Sequence, residues 1–333
     1  MSPPRRAPKS SPELRPKPGP SPPRQTAPLE VVDPVWLIKA IAMCLLAALF
    51  CIWLTECLLV YQGAWQLVLH PTRTIDRTPA SAGLLYEPVR FDAAETGQPR
   101  LTAWWIPAGS QPTSQPASQP TYAAFTILYL HAGSGSLSDT IPSLARLHRA
   151  GLNVFAIDYR GFGASDASVH PDEARMTQDA AAALEYLTST RHIPTRTIIP
   201  YGAGLGASFA ANLARQHSGL PAIILEDPTP DPAATAAAAH PSRIIPVRLL
   251  FGKRFDIATP LATLATPKLL IAGGSASTHS AGETRVIQTL YHRAASPSFD
   301  VTLPPVNDED DYQAALQRFL DQYLPHPTIQ PAP

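Results

Sequence analysis

The residues with the most chemistry in their spacing run from Thr197 to Ser208 (Thr197-Ile198-Ile199-Pro200-Tyr201-Gly202-Ala203-Gly204-Leu205-Gly206-Ala207-Ser208). An apolar, β-branched run stops at a glycine, and an Ala/Leu-rich helical pattern follows. Acyl transfer by a serine uses this context: a strand, a tight turn bearing the nucleophile in a G-x-S-x-G frame, then a helix. Here the frame reads Gly202-Ala203-Gly204-Leu205-Gly206. Both outer glycines are in place, and the central position carries no attacking atom. Ser208 falls four residues further on and could be forced into a shifted G-x-S-x-A frame, but that register puts it one turn into the helix.

Two more glycine-rich blocks precede this one: Leu130-His131-Ala132-Gly133-Ser134-Gly135, and Ile157-Asp158-Tyr159-Arg160-Gly161-Phe162-Gly163-Ala164-Ser165. In this order and at these spacings the three blocks resemble the α/β-hydrolase superfamily. The likeness is to its membrane-anchored serine-hydrolase-like branch, related to serine aminopeptidases and dienelactone hydrolases, and it runs from about Trp65 to Leu324.

The resemblance implies oxyanion-hole-like amides from Leu205 and from the Ala132–Gly133 loop, with Gly202 and Gly206 shaping the elbow. It also implies an acid after the seventh strand and a histidine after the eighth. This chain departs at both. Ala276 stands where the acid belongs, and the histidine position falls in Pro304-Pro305-Val306-Asn307-Asp308, with Val306 at the expected place. Nucleophile, acid and histidine are therefore all expected to be missing. Glu226 and Asp227 follow the sixth strand, and His279 follows the seventh, so a carboxylate and an imidazole could still share the cleft. The structural alternative is a cap-anchoring carboxylate and a solvated histidine. His131 is expected to support the loop, and Asp158, Arg160 and Asp166 to form a loop-fixing polar network. Scattered histidines and the lack of a domain thiol speak against a metal, and no phosphate-binding glycine loop is recognisable. No cofactor is expected.

These residues need elements to hold them. Leu85–Phe91 and Leu101–Ile106 read as an antiparallel opening pair of strands. Strands and helices then alternate through to Asp308–Tyr323, which predicts an α/β fold: a mostly parallel eight-stranded sheet covered by helices on both faces. Three S-Q-P-[TA] units at 110–121 cannot build a core and read as a flexible insert. Residues 227–267 read as a small cap over the carboxyl ends of the strands, where ligands bind in open α/β sheets.

Before the domain come two appendages. Residues 1–34 are proline-rich, carry Arg5, Arg6, Lys9, Arg15, Lys17 and Arg24, and read as a disordered arm; 325–333 reads as a tail. Residues 35–61 read as one transmembrane helix. Ala40–Thr55 is uncharged, Lys39 and Glu56 flank it, and Trp36, Trp53 and Tyr61 lie towards the ends. A cleaved signal peptide would need a small-residue cleavage site that Thr55-Glu56-Cys57 does not offer. Glu56 likewise argues against lipid attachment at Cys57. A buried core helix is the competing reading. The basic arm predicts a cytoplasmic N-terminus and an extracytoplasmic domain. All three cysteines (Cys44, Cys51, Cys57) lie in this stretch.

Lys+Arg and Asp+Glu are both 26, so the net charge is zero. That leaves no counterion-release term to drive nucleic-acid binding. The leading expectation is a non-catalytic membrane-anchored protein whose vestigial cleft takes a small carboxylate or carbonyl ligand. A serine hydrolase of esters or amides, and an interaction module with a protein partner, are the alternatives.

Overall fold

The computed structural model describes residues 33–92, 99–109, 122–274, 279–306 and 308–324. The arm up to residue 32, the insert at 110–121, the tail at 325–333 and Ala276 lie outside them.

Eight strands form one sheet: β1 (Glu87–Asp92), β2 (Pro99–Ile106), β3 (Thr126–Leu130), β4 (Asn153–Asp158), β5 (Ile198–Ala203), β6 (Ile223–Glu226), β7 (Lys268–Gly273) and β8 (Ser298–Leu303). Their spatial order is β1-β2-β4-β3-β5-β6-β7-β8. β2 runs antiparallel to both its neighbours, and every pairing from β4 to β8 is parallel. The helices are α1 (Pro34–Gly63), α2 (Leu137–Arg149), α3 (Glu173–Glu185), α4 (Gly206–Gln216), α5 (Pro232–Ala239), α6 (Val247–Phe251), α7 (Ala258–Leu261), α8 (Ala281–Tyr291) and α9 (Glu309–Tyr323).

The continuous apolar strands explain the layering. A strand with both faces covered alternates its side chains between two cores. Phe155 and Ile157 of β4 join one apolar cluster with α3, α4, α8 and the short helices of the 227–267 segment. Val154 and Ala156 join the other with α2 and α9. Lys268, fully buried at the start of β7, donates to the carbonyls of Leu264 (2.8 Å), Ala295 (2.7 Å) and Pro297 (3.1 Å). Its three N–H groups thus join the segments that enter β7 and β8.

The boundary between two compact units falls within α1, between Ile52 and Trp53. In the first unit, apolar side chains from Val35 to Ile52 are exposed. Among the described residues, one helical stretch is long and apolar enough to cross a membrane, and it begins at Pro34. In the second unit, Cys57 and Val60 are buried in the same core as α4 and β5 neighbours such as Leu205 and Phe209. The domain expected from Trp65 onward thus also takes in the last three turns of α1.

After α1 the chain runs straight to the site. His70–Pro71 pairs in parallel with Ser134–Gly135. His70 N–H donates to Gly133 O (2.7 Å) and Thr72 N–H to Gly135 O (2.9 Å).

Candidate functional site

The order of strands reverses direction between β3 and β5, and a crevice opens outside their carboxyl ends, as in other open α/β sheets. Here it is a cavity of about 450 Å³. Ala132 and Gly133 follow β3, Gly204 and Leu205 follow β5, and Asp227 follows β6; all line it, with Thr229 and Thr235 from the cap segment.

The elbow is a formed turn, and its outer glycines are needed for close approach. A Cβ on Gly202 would meet Ala207 N at 2.6 Å, and one on Gly206 would meet His131 O at 2.6 Å. Gly204 has φ +55°, a left-handed backbone that side chains beyond glycine seldom adopt. Its own N–H donates to Glu226 O (3.0 Å). A Cβ there would lie 2.9 Å from Ala132 Cβ. The methyl of Ala132 thus fills the space a nucleophile's first carbon would need. The block Leu130–Gly135 resembles an H-G-x-x-G loop of the α/β-hydrolase superfamily, and Ala132 stands where that pattern has its first glycine.

Among the described residues, the amide of Leu205, the residue preceding α4, donates to no main-chain acceptor. It lies at the start of an eleven-residue helix, where N–H groups and the helix dipole favour an electronegative atom. Ser208 does not serve this cavity. It is buried in α4, its hydroxyl donates to Leu205 O (2.8 Å), and it is absent from the lining.

Three histidines line the cavity, His70, His131 and His279, and the two expected from the sequence do different things. His131 is buried against Tyr159 and Phe162, with its Nδ1 2.7 Å from Ala132 O. Its Nε2 lies 3.6 Å from Asp158 Oδ1. Burial, the larger effect, holds the imidazole down at about 4 and lifts the Asp158 carboxyl to about 7. Asp158 also accepts from Leu137 N–H (3.0 Å), so the pair fixes the loop after β3 to the start of α2. His279 reaches Asp227 through the main-chain carbonyl (Nε2 to O, 3.2 Å). The Asp227 side chain is turned elsewhere, accepting from Gly273 N–H (2.7 Å), and its backbone has φ +42°. The carboxylate and imidazole share the cavity, yet each is engaged with main chain.

The expected histidine position, Val306, lies in the loop after β8. Val306 is two-thirds exposed and does not line this cavity. The residue of that loop that turns inward is Asp308, 3.5 Å from Arg146 Nη1. Arg160 pairs with Asp179 (2.6 Å) and Arg100 with Asp166 (3.7 Å), so those residues do fix loops.

Sequence reasoning missed a buried polar network that meets the cavity at Tyr129 and Glu226. Tyr129 and Tyr201 stack at 4.9 Å between ring centroids. The Tyr201 hydroxyl donates to Glu226, which also takes Arg146 Nη2 at 3.1 Å. The Arg146 guanidinium lies 4.2 Å from the centre of the Tyr312 ring. Burial raises the Glu226 pKa, against the opposing pull of Arg146. One signal was present: tyrosines on fully apolar parallel strands need a hydroxyl partner.

Comparison with known proteins gives the same assignment. A family model described as serine aminopeptidase S33 matches residues 124–260. The uncharacterized protein Rv2307c of Mycobacterium tuberculosis is 30% identical over 211 residues, 63% of this chain and 69% of that protein. The chain belongs to the α/β-hydrolase superfamily. Protein bem46 of Schizosaccharomyces pombe is 32% identical over 153 residues, 45% of this chain and 46% of the relative. Among solved structures, a Pyrococcus furiosus esterase superposes with a TM-score of 0.57 at 18% identity, covering 78% of this chain and 98% of that one. An α/β-hydrolase from Vibrio vulnificus gives 0.53 at 17%, covering 73% and 81%. At these identities the structural likeness is one of fold. In this member of the superfamily a tight turn at Gly202–Gly206 and the loop after β3 border the cavity, and Gly204 stands at the centre of the turn.

Proposed function

We propose that this α/β-hydrolase is a membrane-anchored ligand-binding protein that does not form an acyl-enzyme. The observation that carries the reading is the pair at the elbow. Gly204 supplies no attacking atom, and the Ala132 methyl occupies the adjacent space, while the cavity remains open. A nucleophile, a base and an orienting acid act as a unit, so losing the first removes the covalent route. What is left is an unspent amide at Leu205 and the neighbouring Ala132–Gly133 loop. Such donors suit the oxygen of a carbonyl. Of the two ligand classes, an uncharged ester or amide carbonyl fits better than a carboxylate, because Asp139, Glu226 and Asp227 all line the cavity. Anchoring follows from the apolar run in α1, and the basic arm favours a cytoplasmic N-terminus.

The test uses the full chain in detergent. It should take no fluorophosphonate label and should hydrolyse p-nitrophenyl esters no faster than a denatured control. A non-hydrolysable long-chain amide should raise its melting temperature. Labelling that survives Gly204→Ala and disappears in Ser208→Ala would overturn the reading.

A further inference from the structure

The segment His240–Arg254 of the cap carries Arg243, Arg248, Lys253 and Arg254 and no acidic residue. Its architecture is two-sided. Ile245, Val247 and Phe251 are buried and pin it to the core, whereas Ile244 and Leu249 stand 79% and 78% exposed. Large aliphatic side chains turned outward beside cations form a pattern suited to a bilayer interface, where apolar groups enter the headgroup boundary and cations meet anionic lipid.

A second observation says which surface this patch faces. The indole N–H of Trp53 donates to Ile244 O (3.4 Å). Trp53 stands near the end of the uncharged run, three residues before Glu56. Trp36, at the other end, is 17 residues earlier, about 26 Å along a helix axis, close to the roughly 30 Å hydrocarbon thickness of a bilayer. Tryptophans so spaced mark the two interfaces of a span. Cys57 and Val60, beyond Glu56, are already in the domain core. The residue that holds Ile244 is therefore the one at the interface.

Charge agrees with this placement. Arg248 is paired with Asp231 (2.6 Å), and Arg254 lies over the Tyr61 ring at 5.1 Å. Arg243 and Lys253 are exposed.

We propose that the cap edge bearing Ile244 and Leu249, with Arg243 and Lys253 beside it, docks on the surface of an anionic lipid bilayer. The proposal rests on the membrane-anchor reading. The contact would be a second attachment, lying in the interface while α1 spans. It would hold the cap, and hence the cavity under Thr229 and Thr235, against the lipid surface, so that the ligand is drawn from lipid-derived carbonyl compounds.

The test uses the full chain with Cys44→Ser, Cys51→Ser and Cys57→Ala. A single cysteine is placed at Leu46, Ile244, Leu249 or Gln317 and labelled with an environment-sensitive nitrobenzoxadiazole dye. Each variant is reconstituted into vesicles of phosphatidylcholine and phosphatidylglycerol, with or without phospholipid carrying a nitroxide near the top of its acyl chain. Dyes at 244 and 249 should shift to the blue and lose most of their emission to the nitroxide. The dye at 317, on the sheet's opposite side in α9, should keep its emission. Adding Arg243→Glu and Lys253→Glu should weaken quenching at 249 in the anionic vesicles and leave it unchanged in pure phosphatidylcholine. If 244 and 249 behave like 317 while 46 is quenched, the docking proposal falls and the anchor stands. If 46 is unquenched as well, the anchor reading falls and takes the proposal with it. A blue shift at 244 and 249 without lipid quenching would mean that protein covers the patch, and would also overturn it.

Discussion

Gly204 and Ala132 behave as one steric unit. The first gives up a side chain, and the second supplies a methyl 2.9 Å from where that side chain would begin. Restoring a serine should therefore be costly twice over. A non-glycine residue at φ +55° carries about 1–3 kcal/mol of backbone strain, and the Ala132 contact adds to it. Gly204→Ser should lower the denaturant midpoint, and adding Ala132→Gly should recover the contact portion but not the backbone portion. Equal midpoints for the single and double variants would show that the two positions are uncoupled. A second residue-scale expectation concerns Asp158, whose folded pKa stands at about 7, above the ordinary carboxylate value, because of burial. The folded state then holds a proton that the unfolded chain releases. This contribution to stability is complete below the unfolded value and is lost as pH rises towards 7. His131, held at about 4 by burial, has the opposite slope, stability rising with pH up to the unfolded histidine value. Asp158→Asn keeps an acceptor for Leu137 N–H and removes the ionisation. Its stability relative to the parent should therefore improve from pH 5 to pH 8 in thermal melts. A difference that does not vary with pH would contradict the burial account. At this scale the sequence exposed the tight β5–α4 turn centred on Gly204, because the glycine frame between an apolar strand and a helical pattern carries that information. It did not expose Asp308, since a residue turned inward after β8 looks in sequence like any other loop carboxylate.

The elements were the most legible level. Periodicity two and then 3.6, punctuated by glycine, gave the eight-stranded α/β alternation and placed the opening strand pair and the last helix to within a few residues. The end of α1 was less so. A uniformly apolar helix gives no sign of where lipid stops and protein begins, because Cys57 and Val60 look the same in either setting. In the structure the residues that pack with the domain begin near Trp53. A chain starting at residue 53 should therefore fold as a stable domain. One starting at residue 63 loses the buried Cys57 and Val60 and the packing of Trp53. At roughly 1.5–3 kcal/mol for each fully buried apolar side chain, the second truncation should lose about 3 kcal/mol or more. Urea titrations of the two chains side by side would measure it, and identical midpoints would show that the helix end is dispensable.

At the scale of the whole molecule, the membrane reading makes a topological statement. Six basic residues precede the apolar run, so a reporter active only outside the cytoplasm, fused after Pro333, should be active. Activity from a cytoplasmic reporter at the same site instead would reverse the orientation. The parallel pairing of His70–Pro71 with Ser134–Gly135 also has a mechanical meaning. Between α1 and β1 the chain is tied down by His70 to Gly133, by Thr72 to Gly135 and Gly163, and by Arg73 to Phe162 and Ser165. Once the packed end of α1 had given way, tension arriving from the N-terminal side would pass to these ties, and their far ends are the loop after β3 and the loop after β4. Load is thus delivered to one wall of the cavity before it reaches the sheet. In a force spectrometer pulling from the N-terminus, the yielding event that follows detachment of the α1 end should release this strap. With a reporter ligand bound, that event should change the occupancy of the cavity before the domain unfolds.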